Sequence, residues 1–600
     1  MGKHLIITIL IAGALCLSFN SSTTPGSKAA AYYDRQLDSL SERLNDLAKS
    51  LHRNERKEIT WKFFACRNAY KKVELFIDVA DPRTARLLNG PDLLRINEED
   101  PADSMIPHGL QVAERIIYTA TIDRIALGTE IKSMLAQVRH LRTDPDRIYY
   151  FRDDKVWWAM RLAVYRIVSM GITGFDAPIS GHALPESIAV LSSISTITGY
   201  YKGNIGKSSY DRGAALTNAS ITYLSKGKDF NSFDRAVFIR KYIAPLSGWL
   251  TYCSDMNGYN TPDQRNPINP KASGLFASNL FDITFFSPNS NYLATPERAA
   301  LGRKLFFDPI LSGDGNRSCA TCHQPHKAFT DGLAKPYGIN PDAQLMRNTP
   351  TLWYSALQTK QFYDSRTATL ENQLSAVVHN TEEMGGSLAN SIPLLLADTT
   401  YNALFRKAYP ASKDYITAYN IANAISSYVR TLVSFNSRFD RYIRNETDSF
   451  SAAEKNGFNL FMGKAKCGTC HYAPVFNGLI PPLYEDTESE ILAVPARPGA
   501  KATLDADLGK FSFTRLPLHK YAFKTPTVRN ISLTAPYMHN GVFATLEEVL
   551  AFYNTGGGAG AGISPGTQTL PADKLGLSKR EIKDVIAFLH TLTDTTADRK

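Results

Sequence analysis

The sequence predicts a mainly helical protein, with a large amino-terminal helical domain followed by two small helical domains in tandem. Three observations carry this. Leu37, Leu40, Leu44, Leu47 and Leu51 recur at spacings of 3, 4, 3 and 4, which puts them on one face of a helix. A short pattern, G-x-x-L-F, occurs at Gly302–Phe306 and again at Gly457–Phe461, each time ahead of a C-x-x-C-H motif. Between the leucine stripe and the first repeat lies "NPINPKASGLFASNLFDITFFSPNSN", 266–291, whose Asn, Pro and Ser content predicts a linker.

Taken in order, residues 1–22 read as an export signal. Lys3 precedes an apolar run from Leu5 to Phe19, which is short for a membrane span and suited to a secretory signal. Cleavage is expected, with a retained anchor as the lesser reading. Bulky Leu15 before Cys16 argues against a lipoprotein. Residues 23–265 form the helical domain, continued by "WKFFACRNAYKKVELFIDV" and "VWWAMRLAVYRIVSMGI", and carry no chemical motif. His108 and Glu114 lie six apart. A helix would aim them about 120° from each other, so core or surface roles are expected. The two repeats span 292–445 and 446–600. Capping boxes at Ser451-x-x-Glu454 and Ser578-x-x-Glu581 start helices in the second, and Ile582, Val585, Ile586 and Leu589 share a face of the last one.

The net charge of +10 is scattered along the chain. A solvated basic surface explains it better than nucleic-acid binding, and it suits docking to an acidic partner.

Seven cysteines are present. Cys319 and Cys322 precede His323, and Cys467 and Cys470 precede His471. Zinc knuckles gather four ligands within a short span, but 144 residues separate Cys322 from Cys467. A redox dithiol needs no histidine. Covalent haem needs two thiols to add across its vinyl groups and an adjacent imidazole to reach the iron. Chance gives this motif in about one of six hundred such chains, so two copies mean two covalently bound c-type haems. The tandem domains are then cytochrome c-like haem domains. Cys66 and Cys253 remain as an even pair in an oxidising compartment, which leaves a disulfide and two buried thiols both open.

Two haems serve relay alone, or relay plus chemistry. Between His326 and His379 no histidine is available to close the first haem's upper face, and the nearest methionine is Met346. His326 is too close to His323 to reach that face, so an open first haem is expected. The next segment, "QFYDSRTATLENQLSAVVHNTEEMGG", offers Gln373, His379, Glu382 and Glu383 as groups to move a proton between peroxide oxygens or to orient the peroxide.

Residues 295–595 resemble the bacterial di-haem cytochrome c peroxidase and MauG family. The matching stretches are "LGRKLFFDPILS", "SCATCH", "RNTPT", "FYDSR…LENQ…EEM", "RFDRYI", "CGTCH", "DLGKF" and "FKTPTVRNISLTAPYMHNGVFATLEEVLAFYN". The resemblance implies that the first haem reduces hydrogen peroxide. It also implies that the second, at Cys467, Cys470 and His471, accepts electrons from a small donor protein, a cytochrome c or cupredoxin. It places Glu383 as the acid–base glutamate and Gln373 as the orienting glutamine, and it puts Asn348, Thr534 and Pro536 around a calcium ion. A periplasmic location follows, with membrane attachment only through a retained signal and a homodimer left open.

Three departures from the family stand out. The loop before "RNTPT" reads "GINPDAQLM", with Asn340 or a neighbour where family members needing prior reduction carry a blocking histidine. Tyr363 replaces the tryptophan between the haems. Tyr553 falls at the second haem's upper ligand position, with Met538 and His539 as rivals and a core tyrosine as the plain alternative. A phenolate there would lower that haem's potential relative to a thioether. The expected function is therefore peroxide reduction. The alternatives are MauG-like oxidation of another substrate, or a relay or peroxide-sensing cytochrome. A relay haem needs neither Gln373 nor Glu383.

Overall fold

The computed structural model describes residues 24–52, 55–96, 104–227, 229–259, 265–499, 502–563 and 565–594. The expected signal, 1–22, and Cys16 lie outside them. Among the described residues, no helix is long and apolar enough to cross a membrane.

The amino-terminal body is helical. Helix α1, Pro25–Ser50, starts where the Thr24 side chain accepts the Ser27 N–H and Pro25 fills the first turn. Leu37, Leu40, Leu44 and Leu47 of its stripe are fully buried, and they pack α1 against α2, Arg56–Ala80. Helix α3, Asp153–Arg166, is buried on every side. At its end an ion network closes the core. Arg166 grips Asp176 at 2.6 and 2.8 Å, and Lys71 Nζ lies 2.7 Å from the same carboxylate. Although burial opposes ionisation, these cations hold the Asp176 carboxyl well below its ordinary range.

His108 precedes the helix Leu110–Tyr118 rather than lying on it, and faces Glu130 at 3.1 Å. Glu114 is buried and accepts the Ser180 N–H at 3.0 Å. Both roles are structural.

The 266–291 segment is irregular, as its composition predicts, but it is no free tether. Ile268, Leu275, Phe276, Leu280 and Phe281 are buried. Phe276 meets Phe439 edge-on at 5.6 Å, and Phe281 meets Tyr484 at 5.3 Å. The segment therefore glues the amino-terminal body to the two tandem domains.

The doubled G-x-x-L-F pattern marks the same helix crossing twice. In α4, Pro296–Phe307, Gly302 sits against α5, Ala418–Arg430. A Cβ there would lie 1.8 Å from the Ala424 carbonyl oxygen. The second domain is built on α6, Ala452–Phe461, α7, Leu546–Asn554, and α8, Lys579–Thr591. Gly457 of α6 sits against α8, where a Cβ would lie 1.8 Å from the Asp584 carbonyl oxygen. Only glycine permits either approach. Leu305, Phe306, Leu460 and Phe461 follow on the buried faces. The predicted capping boxes form at Ser451/Glu454 and Ser578/Glu581, and a further one forms at Thr545/Glu548. The only sheet among the described residues pairs β1, Ser489–Ile491, antiparallel with β2, Ala522–Lys524.

One choice the sequence leaves open is resolved. Cys66 and Cys253 are both buried free thiols, not a disulfide. Cys66 packs inside α2, and the Cys253 sulfur lies 3.1 Å from Ser209 Oγ. An even count in an oxidising compartment does not bring two sulfurs within bonding reach. Alkylation of the denatured, unreduced holoprotein should therefore label Cys66 and Cys253; protection of both until reductant is added would restore the disulfide.

Candidate haem sites and the seam between them

Each C-x-x-C-H motif folds as a single tight turn that presents its histidine. Ser318 and Thr321 cap the turn Cys319–Cys322, and the His323 N–H bonds the Cys319 carbonyl at 2.9 Å. The second motif repeats this, with His471 N–H on the Cys467 carbonyl at 2.9 Å. The two rings are then fixed the same way. His323 Nδ1 lies 3.0 Å from the Phe329 carbonyl oxygen, and His471 Nδ1 lies 3.0 Å from that of Pro526. A carbonyl only accepts, so each Nδ1 carries the proton and each Nε2 keeps a free lone pair. Burial lowers both pKa values, that of His471 to about 4, so the rings stay neutral. This is the tautomer an iron ligand requires, and each motif fits a covalently held haem.

Glu383 comes to the first motif on the turn after the helix Leu370–His379. The turn is laced to neighbouring segments by Ile339 N–H on Glu382 O at 2.8 Å and Gly313 N–H on Met384 O at 2.9 Å. Asn380 Nδ2 donates to Glu383 Oε1 at 2.8 Å. Burial raises the Glu383 carboxyl above its ordinary range against the pull of Asn380, Arg366 and Arg317, and its charge reaches the Cys322 sulfur. The rivals lie elsewhere. His379 gives Nδ1 to the Ser375 carbonyl and is exposed, as is Glu382. Met346 is 64% exposed, and Asn340 caps its own exposed turn by accepting the Asp342 N–H. Gln373 is half-buried and lines a large cavity at the domain seam, which Glu383 does not line.

That cavity has a volume of about 1410 Å³ and is lined by Cys467, Cys470, His471 and Tyr553 as well as Gln373 and Tyr363. Helix α7 brings Tyr553 towards the second motif. Burial raises its hydroxyl pKa, and the Cys470 and Cys467 sulfurs are the next contributors. The rival His539 is committed elsewhere. Its ring stacks on Phe523 at 3.8 Å, its Nε2 lies 3.3 Å from Asp505 Oδ1, and its carbonyl accepts the Asn348 N–H. Met538 lines the cavity.

The seam between the haem domains gathers the remaining candidates. The Tyr363 carbonyl accepts the Lys524 N–H at 2.7 Å, and the Tyr363 hydroxyl lies 3.4 Å from Asn348 Oδ1. Asn348, Thr534 and Pro536 all line the cavity. Asn348 Nδ2 is fixed by the Leu333 carbonyl at 2.7 Å, which leaves Oδ1 to the Tyr363 hydroxyl. An amide oxygen and main-chain oxygens are donors for a hard cation, so the set fits calcium. Among the described residues, no cluster of three His, Cys, Asp or Glu side chains could hold a metal.

Two residues escaped sequence reading. Glu490 of β1 sits with Oε1 3.4 Å from Cys470 Sγ, accepts from Thr569, and is pushed up to about 7 by burial. Lys524 of β2 is buried against the neutral Gln358 amide and Lys360 carbonyl, and burial lowers it to about 7. Glu490 lies in none of the family-matching stretches and Lys524 lies in one of them without a stated role, because only pairing of β1 with β2 brings the two to the cavity.

A chain that presents two histidine-bearing haem loops in one seamed body is a di-haem cytochrome. Comparison with known proteins sharpens this. The family model described as di-haem cytochrome c peroxidase matches residues 296–448. The methylamine utilization protein MauG of Methylorubrum extorquens is 37% identical over 305 residues, 51% of this chain and 80% of the relative. The cytochrome c551 peroxidase of Pseudomonas aeruginosa is 30% identical over 335 residues, 55% of this chain and 87% of the relative. A solved MauG-like protein associated with microbial copper homeostasis is 32% identical, covering 51% of this chain and 91% of that one, with a TM-score of 0.46. The chain belongs to the di-haem cytochrome c peroxidase family, whose members here include both MauG and cytochrome c peroxidases, and haem is its cofactor.

The seam is clasped by Arg347, which reaches Asp364 at 2.6 Å and Asp507 at 2.6 and 3.0 Å. Removing one partner of a largely buried ion network leaves uncompensated charge. Arg347→Met should cost about 3 kcal/mol of unfolding free energy, read by urea denaturation of the holoprotein; a change below about 0.5 kcal/mol would mean that the clasp adds no more than a surface pair.

Proposed function

We propose that this protein is a periplasmic di-haem peroxidase that reduces hydrogen peroxide at the first haem and passes oxidising equivalents to the second. The single observation that carries it is Glu383, a carboxylate with raised pKa, oriented by Asn380 and close to the first haem loop. Haem bound at Cys319, Cys322 and His323 would supply the redox chemistry. Glu383 would take the proton from the peroxide oxygen nearer the iron and return it to the outer oxygen, so that the outer oxygen leaves as water. Gln373 would orient the peroxide through its amide. Tyr363, bonded to β2 through its carbonyl, would bridge to the second haem at Cys467, Cys470 and His471. Calcium held by Asn348, Thr534 and Pro536 would fix that seam.

A second reading has its own support. Tyr553 lines the same cavity as the cysteines of the second motif, while His539 is tied to Phe523 and Asp505. With Tyr553 as the upper ligand, phenolate donation would lower the second haem's potential. The haem would then accept poorly from ordinary donors and hold oxidising equivalents well, which favours oxidation of a further substrate.

Glu383 acts as a base in its ionised form, so turnover should fall as pH drops through its raised pKa. The acid limb of the pH–rate profile should therefore lie above the ordinary glutamate value of 4.5. Glu383→Gln should abolish peroxide turnover and that limb while both haems stay attached, as read by pyridine haemochrome and steady-state assay. Turnover within about tenfold of the parent would remove Glu383 from the acid–base role.

A further inference from the structure

The amino-terminal body meets the second haem loop at three points in a row. Arg235 lies against Gly463, just past the end of α6, where a Cβ would fall 2.7 Å from Arg235 Cζ. Thr173 lies against Gly468, between Cys467 and Cys470, where a Cβ would fall 3.2 Å from Thr173 Cγ2. Phe175 meets Tyr472, the residue after His471, edge-on at 5.8 Å.

Arg235 ties these points together. It is fully buried, and all three guanidinium nitrogens donate to main-chain carbonyls: Nε to Ile172 at 2.8 Å, Nη1 to Phe233 at 3.1 Å and Nη2 to Phe230 at 2.8 Å. Ile172 closes the π-turn Ile167–Gly171 and leads directly into Thr173. One side chain thus fixes the segment that carries Thr173 and Phe175 and presses on Gly463 itself. A planar fork held at three nitrogens cannot swing aside as a free side-chain end would. Its neighbours grip the helix that enters the loop. Asn459 of α6 donates from Nδ2 to Asp234 Oδ1 at 3.0 Å and accepts the Ala236 N–H on Oδ1 at 3.0 Å.

The second repeat is fitted to these contacts. Aligned on G-x-x-L-F, its Asn459 and Gly463 correspond to Lys304 and Asp308 of the first repeat. Aligned on C-x-x-C-H, its Gly468 corresponds to Ala320. Lys304 instead lies over the Tyr401 ring at 4.3 Å, and Asp308 accepts the Tyr401 hydroxyl at 2.6 Å. The two loops orient their histidines alike, yet the second has glycine at both places where Arg235 and Thr173 press on it.

We infer that Arg235 is a positioning residue for the second haem, through which the amino-terminal body sets that haem's coordination and potential and leaves the first haem's unchanged. Arg235 holds the loop Gly463–Tyr472, and the loop holds His471. Support behind an iron ligand governs its orientation and strength. The inference rests on haem attachment at Cys467 and Cys470 and is independent of the peroxidase reading.

The test uses the full-length di-haem protein. A parent protein whose pyridine haemochrome shows fewer than two haems defeats the attachment itself. Gly463 lies outside the left-handed region, so Gly463→Ala adds no backbone strain, only a methyl against Arg235. The second haem should shift its midpoint potential by about 59 mV, a tenfold change in its ferric–ferrous equilibrium constant, and change its low-spin resonance positions in electron paramagnetic resonance. The first haem should keep its potential and its signal. Phe175→Ala, at a half-buried position, loosens the same loop at its other end and should move the same haem. Loss of the second haem alone from either variant supports the role as well. A second haem that keeps its potential and its resonance positions in both variants overturns it. So does an equal shift at both haems, which marks general loosening of the fold.

Discussion

Two hydrogen bonds set the terms for the rest of this molecule: His323 Nδ1 to the Phe329 carbonyl, and His471 Nδ1 to the Pro526 carbonyl. They decide which ring nitrogen is free and where it points before any iron arrives. Phe329 and Pro526 must therefore be held rigidly. Phe329 is fully buried in a left-handed turn beside Trp353, and Pro526 follows β2, whose pairing with β1 also delivers Glu490 and Lys524 to the cavity. The glycines of the two helix crossings serve the same end. They let α4 and α6 approach their partner helices closely enough to fix the loops that come after them.

The seam adds the second level of order. Tyr363, Asn348, Arg347 and Lys524 connect the haem domains through main-chain and ionic contacts, so the two haem loops share one rigid frame. The amino-terminal body supplies a third level by packing Thr173 and Phe175 against the second loop.

Much of this was legible in the sequence, for a physical reason. Covalent haem needs residues adjacent in the chain, so Cys319, Cys322, His323 and their second copy could be read directly. The leucine stripe and the capping boxes are equally local. Features assembled across the fold were not readable: the packing of Thr173 against Gly468 and the burial of Glu490 and Lys524 by β1–β2 pairing. Cysteine parity left the pairing undecided for the same reason, since Cys66 and Cys253 lie in separate packing environments. Composition misled at 266–291, because asparagine and proline break helices without preventing Phe276 and Phe281 from burying their rings.

The proposed function depends on a first haem whose upper face is open, with Glu383 rather than a ligand beside it. Electron paramagnetic resonance of the fully ferric holoprotein tests this most directly. An open position leaves the iron five-coordinate or weakly ligated. The expected spectrum is therefore one high-spin haem beside one low-spin haem, with the high-spin signal altered by the first equivalent of peroxide. Two low-spin haems in the resting ferric protein would contradict it.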